Sequence, residues 1–454
     1  MSVDATSFQK LAQYPHAVVA WVSDDGYPVQ TPALFSVDEA RREVRITRTG
    51  LAIPADREVS ITGSHIRPRP GEGYDQRRYL TMWGRVMEGA DGYVLTPRRA
   101  WGWDEKETPF FEYSERSNEQ ARRYLASLSE ERGTPVKPRL SALWTFMVAT
   151  RLPFLTATII PVVLGILVAA RAGEWHWWAA VLTLIGGAAI HIGLNVANDV
   201  FDDLSGADRA NVTPTQFSGG SRVIQRGLLS LKQMMAIGGA AYAVGIAIGL
   251  VLVLTRGSMA LLWIGVAGVA LSIAYTAPPF KLVHRGLGEI TTALGFGPIM
   301  VLGAYVVQTK QLAWEPVVAS IPVAILIALV LYVNEIPDRS SDAKAGKRTL
   351  PVRLSREVVT QGFLVAALAA FAAIAVSASA GVIPRPTLLA LLALPVAVEV
   401  YRGIQAQYSA PYELMATMGK NVQLHALTGL LLIVGYAVAL VAQHAFNSPP
   451  GILN

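Results

Sequence analysis

Residues 198–208 read NDVFDDLSGAD and supply Asn198, Asp199, Asp202, Asp203 and Asp208 at the end of some twenty mainly apolar residues. A second stretch, NEIPDRSSDAKAGKRT, supplies Asn334, Glu335, Asp338 and Asp342, again after a long apolar run. Carboxylates cost several kcal/mol in the bilayer interior, so acids at the end of a span point to a polar cavity or an ion. Asn198 with Asp202, and Asp338 with Asp342, are i, i+4 pairs that share a face if each helix continues through them. Grouped carboxylates and amides are hard oxygen donors of the kind Mg²⁺ prefers, and Mg²⁺ commonly bridges to substrate phosphates. The other reading, solvated helix caps, explains one such cluster well and two poorly.

Outward from these motifs the chain changes character twice. Residues 1–140 have mixed charge and no apolar run of spanning length, whereas from about 152 onward apolar stretches of 17–25 residues dominate. That length crosses about 30 Å of hydrocarbon. The stretches predict nine spans, at 153–171, 177–199, 233–254, 258–276, 287–307, 314–336, 358–380, 386–401 and 424–444. With the N-terminus cytoplasmic, one side receives seventeen loop Lys and Arg residues and the other receives Arg171, Arg256, Lys310 and Arg385 alone. This asymmetry predicts a multi-pass protein of the cell (plasma) membrane. Its N-terminal domain and both acidic clusters then face the cytoplasm, and its C-terminus lies outside. The net charge of +6 fits such basic loops rather than nucleic-acid binding, and the lack of cysteine excludes disulfides, thiolate metal sites and a cysteine nucleophile. MSVDATSFQK lacks the basic start and apolar core of a cleavable signal peptide.

Basic loops follow both acidic clusters. FSGGSRVIQRG brings Arg222 and Arg226, and KAGKRT brings Lys344, Lys347 and Arg348. Cations beside flexible glycines suit an oxyanion such as diphosphate. The other account of these bases is that they only obey the charge rule for cytoplasmic loops.

At these residues the chain resembles the UbiA-type intramembrane prenyltransferases, nine-helix enzymes with paired motifs NDxxDxxxxxD and Nxx(R or P)DxxxD. Asn198, Asp199, Asp202 and Asp208 fit the first motif, and Asn334, Asp338 and Asp342 fit the second. RLPFLTATIIPVVLG, SGGSRVIQRG, AYTAPPFKLVHRGLGE and AGKRTLPVRL support the resemblance, which covers about residues 145–445. Within the family the chain is most similar to the 1,4-dihydroxy-2-naphthoate prenyltransferases of menaquinone synthesis, although Glu335 and Pro337 depart from the NNxRD form of that branch. The resemblance implies Mg²⁺ held by Asn198, Asp199, Asp202, Asp208, Asn334, Asp338 and Asp342, with polyprenyl diphosphate and an aromatic acceptor as substrates. It implies catalytic roles for Asp202, Asp338, Tyr275 and Lys281, and diphosphate contacts from Asn198, Arg222, Lys344, Lys347 and Arg348. His191 and His425 lie within spans and are read either as helix–helix hydrogen bonds or as acceptor contacts. Prenylation of another aromatic or lipid acceptor, a membrane-anchored flavin reductase and a cation transporter are the competing functions.

The N-terminal region carries short alternating runs, AVVAWV, YPVQTPALFSV, EVRITR, EVSITG, RRYLTMWGRVME and YVLTP, and then a helical stretch SNEQARRYLASLSEER. This ladder predicts a small antiparallel barrel and resembles the pyridoxamine-phosphate-oxidase-like split barrels, many of which bind FMN or a related flavin. Arg48, Thr62, Arg78 and Trp83 are then the residues expected at a flavin. The expected division is a soluble barrel at 1–132, a Pro-stiffened linker at 133–144 and an all-α membrane domain at 145–447. A chain starting near residue 140 is expected to keep prenyl transfer, because the nine spans hold all the proposed chemistry.

Overall fold

The computed structural model describes residues 3–447 apart from 25–26, 56, 70–72, 90–91 and 139. The side chain of Arg48, Arg139 and the tail after Asn447 lie outside the described residues. Two compact units emerge, Met1–Ser114 and Glu115–Asn454.

In the first unit, alternation of apolar and polar residues produces strands with one buried face. In EVSITG, Val59 and Ile61 are buried while Glu58 is exposed. Six strands form, β1 (Ala17–Val22), β2 (Pro28–Asp38), β3 (Glu43–Thr49), β4 (Glu58–Arg69), β5 (Gly73–Gly89) and β6 (Gly92–Asp104). All pair antiparallel and close in the order β1-β2-β3-β6-β5-β4, as the sequence ladder predicts. Val19, Ile46, Ile61, Met82 and Leu95 fill the interior, with Phe8 and Leu11 of the helix α1 (Ala5–Ala12) packed into the same core. Closure removes the unpaired edges that an open sheet would expose.

Three of the residues expected at a flavin have neighbours within this unit. The Thr62 and Thr81 hydroxyls pair at 2.9 Å, Arg99 lies 4.8 Å from the Trp83 ring, and Arg78 lies 6.0 Å from the Tyr14 ring. These contacts give no support for a flavin in the barrel.

The helix α2 (Phe110–Arg132) belongs for most of its length to the second unit, although the sequence reading joined it to the barrel. Next comes α3 (Ala142–Thr150), capped by the Ser141 hydroxyl on Trp144 N–H. Among the described residues, nine helices are long and apolar enough to cross a membrane, and the protein is an integral membrane protein. They are Leu152–Arg171, Trp177–Ser205, Leu231–Arg256, Met259–Thr276, Gly288–Thr309, Trp314–Lys344, Arg356–Ser379, Arg385–Gln407 and Pro411–Ala445, called the first to ninth spans here. Second, sixth and ninth spans extend well past the hydrophobic runs, to Ser205, to Lys344 and from Pro411. Apolar length measures the hydrocarbon a helix crosses, and backbone hydrogen bonding carries the helix on into polar sequence.

The sixth span is the most buried, with the third and fourth the least, so the bundle wraps around the helix that carries the second acidic motif. Between helices, polar groups find partners as a lipid surrounding demands. Arg256 donates to the carbonyls of Val307 and Gln308, both at 2.7 Å, capping the end of the fifth span. Thr158 Oγ1 and His191 Nδ1 pair at 2.8 Å, tying the first span to the second. Both ring nitrogens of buried His425 lack a hydrogen-bond partner among the described residues.

Close approach of the first and fifth spans depends on Gly165. A Cβ there would lie 2.3 Å from the Val301 carbonyl oxygen and 2.9 Å from Ala304 Cβ. Small residues admit such contacts, on which association inside a bilayer relies. Gly165→Val is expected to force the two helices apart at a cost of about 1–3 kcal/mol. A lowered melting temperature of the purified protein in detergent is the measure, and an unchanged one would show that the spans do not need this contact.

Candidate active site

Continuation of the second span to Ser205 and the sixth to Lys344 puts the acids on shared faces. Asn198 and Asp202 stand one turn apart, and Asn334, Asp338 and Asp342 stack at successive turns. After Ser205 the chain folds into a short turn, Ala207–Ala210, which returns Asp208 to the same place. Gly346, at φ 74, reverses the chain after the sixth span, and Lys347 N–H bonds back to the Asp342 carbonyl at 2.8 Å. A left-handed turn of this kind suits glycine, and it swings Lys347 over the acids.

These elements enclose a cavity of about 170 Å³. Asn198, Asp202, Asp208, Asn334, Glu335, Asp338, Asp342, Lys347, Tyr275 and Arg151 all contribute to its lining. Lys347 Nζ lies 3.4 Å from Asp202 Oδ2 and 3.7 Å from Asp342 Oδ1. His284 Nε2 lies 3.5 Å from Asp202 Oδ1, and Asn198 Nδ2 donates to Asp202 Oδ2 at 3.1 Å. Burial would depress the Lys347 ammonium, yet Asp202 and Asp342 hold it well above its ordinary value, so it stays charged. Burial, together with the charges of Asp202 and Asp199, pushes the Asp208 carboxyl well above the usual carboxylate range.

The two motifs differ in how their oxygens are occupied. Asp199 is buried and bonded to Arg151 and to Ser221 N–H. Asp338 accepts from Asn211 Nδ2 at 2.9 Å and from Gly219 N–H at 2.8 Å. In contrast, Asn198 Oδ1, Asp202 Oδ1, Asn334 Oδ1, Glu335 Oε2 and Asp342 Oδ2 are buried without a hydrogen-bond donor among the described residues. Such orphaned acceptors are costly unless a partner arrives. Five oxygens converging on one cavity from two helices fit a hard divalent cation. Among the described residues no three His, Asp or Glu side chains form a complete metal cage. Mg²⁺ is typically held by one or two carboxylates, water and substrate phosphates, so an incomplete cage suits it.

A second cavity, of about 560 Å³, adjoins the first and shares His191, Leu194, Tyr275, Thr292 and Phe296 with it. It runs among the second to fifth spans and is lined largely by Ile, Leu, Val and Gly. Among the described residues its lining holds no Asp, Glu, Lys or Arg. Tyr275 and His191 therefore stand where a charged chamber meets an apolar one.

Other expected site residues are placed elsewhere. Lys281, Arg222, Lys344 and Arg348 do not line the acidic cavity. Lys344 and Arg348 are exposed, whereas Arg222 is buried and bonded to the Asp208 carbonyl and to Glu115. His284, Arg151, Asn211 and Gln225 touch the acids and were not among the residues expected there. His284 and Arg151 lay inside segments already quoted for the resemblance, but nothing in their spacing marks them out.

Residues 158–424 match the UbiA prenyltransferase family. The chain is 28% identical over 312 residues to the 2-carboxy-1,4-naphthoquinone phytyltransferase of Synechocystis sp., covering 66% of this chain and 95% of that one. It is 26% identical over 295 residues to the 1,4-dihydroxy-2-naphthoate octaprenyltransferase of Bacillus subtilis, covering 64% and 91%. Against the enzyme of that name from Mycobacterium tuberculosis it is 32% identical over 212 residues, covering 46% and 70%. With its motifs gathered at one cavity and the match spanning seven of the nine helices whole, most of the first and the start of the last, the chain belongs to the UbiA prenyltransferase family and is a prenyltransferase.

Proposed function

We propose that the protein transfers a polyprenyl group from polyprenyl diphosphate to 1,4-dihydroxy-2-naphthoate, in quinone synthesis, with Mg²⁺ as cofactor. The observation that carries this reading is the set of unpartnered oxygens of Asn198, Asp202, Asn334 and Asp342 at the mouth of an apolar cavity. A polyprenyl diphosphate has the same two parts, a multiply charged head and a greasy tail. Mg²⁺, when bound, would neutralise the diphosphate and make it a better leaving group.

The chain's own residues supply the rest. Lys347 carries a fixed positive charge where the diphosphate accumulates negative charge as the C1–O bond breaks. Tyr275, at the junction of the cavities, offers a ring face to the developing allylic cation. Apolar walls beyond it keep water from capturing that cation. The acceptor ring then forms the new C–C bond, and loss of a ring proton, or of CO₂ from a ring carboxylate, restores aromaticity. Named relatives that act on naphthoate and naphthoquinone substrates support this acceptor. The excess of basic residues in the loops beside both motifs supports a cytoplasmic site in the plasma membrane, with the C-terminus outside. A conducting path would need polar groups across the bilayer, which the lining of the apolar cavity does not offer.

Asp202→Asn and Asp338→Asn are each expected to lower prenyl transfer by about 10²-fold or more, the scale of losing a preorganised charge. Mass spectrometry of products from defined prenyl diphosphates and candidate acceptors reads both rate and acceptor. Wild-type turnover in either variant would remove the two-motif site, and a product on a different ring would replace the naphthoate.

Activity is expected to vanish in EDTA and to return with Mg²⁺ or Mn²⁺, because the orphaned oxygens attract the head group only through a cation. Full turnover without divalent metal would contradict this role.

Gly249 lines the apolar cavity, and a Cβ added there would meet nothing within 4 Å. Gly249→Phe should therefore fill the tail's space without disturbing the acids. Turnover with long prenyl diphosphates is expected to fall about tenfold or more relative to short ones, the worth of one to two buried apolar groups. An equal effect on both would mean that the tail lies elsewhere.

A further inference from the structure

The helix α2 precedes the segment 158–424 that matches the family, yet Glu115 on it reaches the loop beside the acidic cavity. Both oxygens of this buried carboxylate are engaged. Oε1 accepts from Arg226 Nη2 at 2.8 Å, while Oε2 accepts from Arg222 Nη2 at 2.9 Å and from Asn118 Nδ2 at 3.0 Å. Burial alone would raise the Glu115 carboxyl, but the hydrogen bond from Arg226 and the charge of Arg222 hold it below the usual range. It is an anion set between two guanidinium groups.

Arg222 is the point where this pairing reaches the site. Its guanidinium also donates to the Asp208 carbonyl, and its backbone stands at φ 62, left-handed for a non-glycine residue. Such a conformation persists when the surroundings over-determine it. Just before it, Gly219 N–H bonds Asp338 Oδ2 at 2.8 Å and Ser221 N–H bonds Asp199 Oδ2 at 3.1 Å. One segment is thus held at its far end by α2 and along its length by a carboxylate from each motif. The same pairing explains why Arg222 and Arg226, cations suited to an oxyanion, are turned away from the cavity.

We propose that Glu115 is a positioning residue for prenyl transfer, holding residues 211–226 through Arg222 and Arg226 so that Gly219 and Ser221 rest on Asp338 and Asp199. The inference rests on the prenyl diphosphate reading of the cavity. Glu115 touches neither substrate nor the reacting atoms. A loop ordered beforehand spares the diphosphate the entropy of ordering it, so release of the loop weakens binding and leaves the bond-breaking groups in place. A chain starting near residue 140 lacks this residue, and on this basis it binds prenyl diphosphate more weakly than the full chain.

Steady-state transfer by the full chain, with prenyl diphosphate varied at saturating Mg²⁺ and acceptor, tests the proposal. Glu115→Ala is expected to raise KM for prenyl diphosphate about tenfold with kcat within about twofold, the scale of charged hydrogen bonds lost outside the chemical step. Glu115→Gln, which keeps the side chain's size, guards against a folding defect and is expected to shift KM in the same direction. Glu115→Asp, which keeps a carboxylate between Arg222 and Arg226, is expected to recover part of the loss in KM. A wild-type KM in both the Ala and the Gln variant, or a loss confined to kcat, overturns the proposal. A wild-type chain with no prenyl transfer overturns the reading of the cavity and this inference with it. An active wild type that its Glu115 variants match overturns this inference alone.

Discussion

The constraint on which the rest of the structure depends is the charge of Asp199, Asp202, Asp203, Asp338 and Asp342, packed together at the ends of two membrane-crossing helices. Ionised carboxylates taken out of water need donors or cations at contact distance, or they neutralise. Each loop around them is shaped to deliver one. Arg151 serves Asp199, Arg209 and Gln225 serve Asp203, and Lys347 serves Asp202 and Asp342. Asn211 and the Gly219 amide serve Asp338. The loops after the second and sixth spans are in this sense counter-charges that happen to be polypeptide. Their compensation stops short at five oxygens, and that remainder faces the cavity.

The features legible in the sequence were those governed by local periodicity. Apolar runs long enough to cross a bilayer gave the spans, and alternation in EVSITG and RRYLTMWGRVME gave the strands of the barrel. The i, i+4 spacing of Asn198 with Asp202 and of Asp338 with Asp342 depended only on the helices continuing, which they do. Basic residues were harder, because which of several neighbouring cations turns inward depends on turn geometry. Lys281 stands at φ 45 ahead of a short turn, Leu282–Arg285, and it is His284, three residues on, that faces Asp202. Lys344 ends a helix and is exposed, whereas Lys347 follows the reversal at Gly346 and is buried. Arg222 was read as a diphosphate ligand, since its partner Glu115 lies over a hundred residues away and no local pattern joins them. His191 met the bland expectation of a helix–helix hydrogen bond, with Thr158.

The two adjoining cavities divide the work by solvation. In the acidic chamber each interaction is strengthened by the low dielectric, and each unpaired oxygen is correspondingly costly. Beyond Tyr275 and Phe296 the lining loses its formal charges, so an apolar chain gains there what a hydrated ion would lose. A molecule carrying both characters is oriented by this gradient before any specific contact forms, with its charged end at Asp202 and its tail among the second to fifth spans. Positioning of the scissile bond at the boundary then needs no dedicated clamp.

This charge balance bears on how such a molecule enters. The carboxylates of Asp202, Asp338 and Asp342 line the cavity against the cations of Lys347 and Arg151, and Arg151 is already committed to Asp199. A bare diphosphate, itself an anion, would add repulsion to a chamber with an excess of acids. The exposed bases of the neighbouring loops, Lys344 and Arg348 among them, lie outside that chamber, where they raise the local concentration of anions without holding them. On the proposed reading, entry becomes favourable only when divalent cations accompany the head group or already occupy the orphaned oxygens. Acids that repel the substrate alone and welcome its metal complex make the cation a condition of binding as well as of bond breaking.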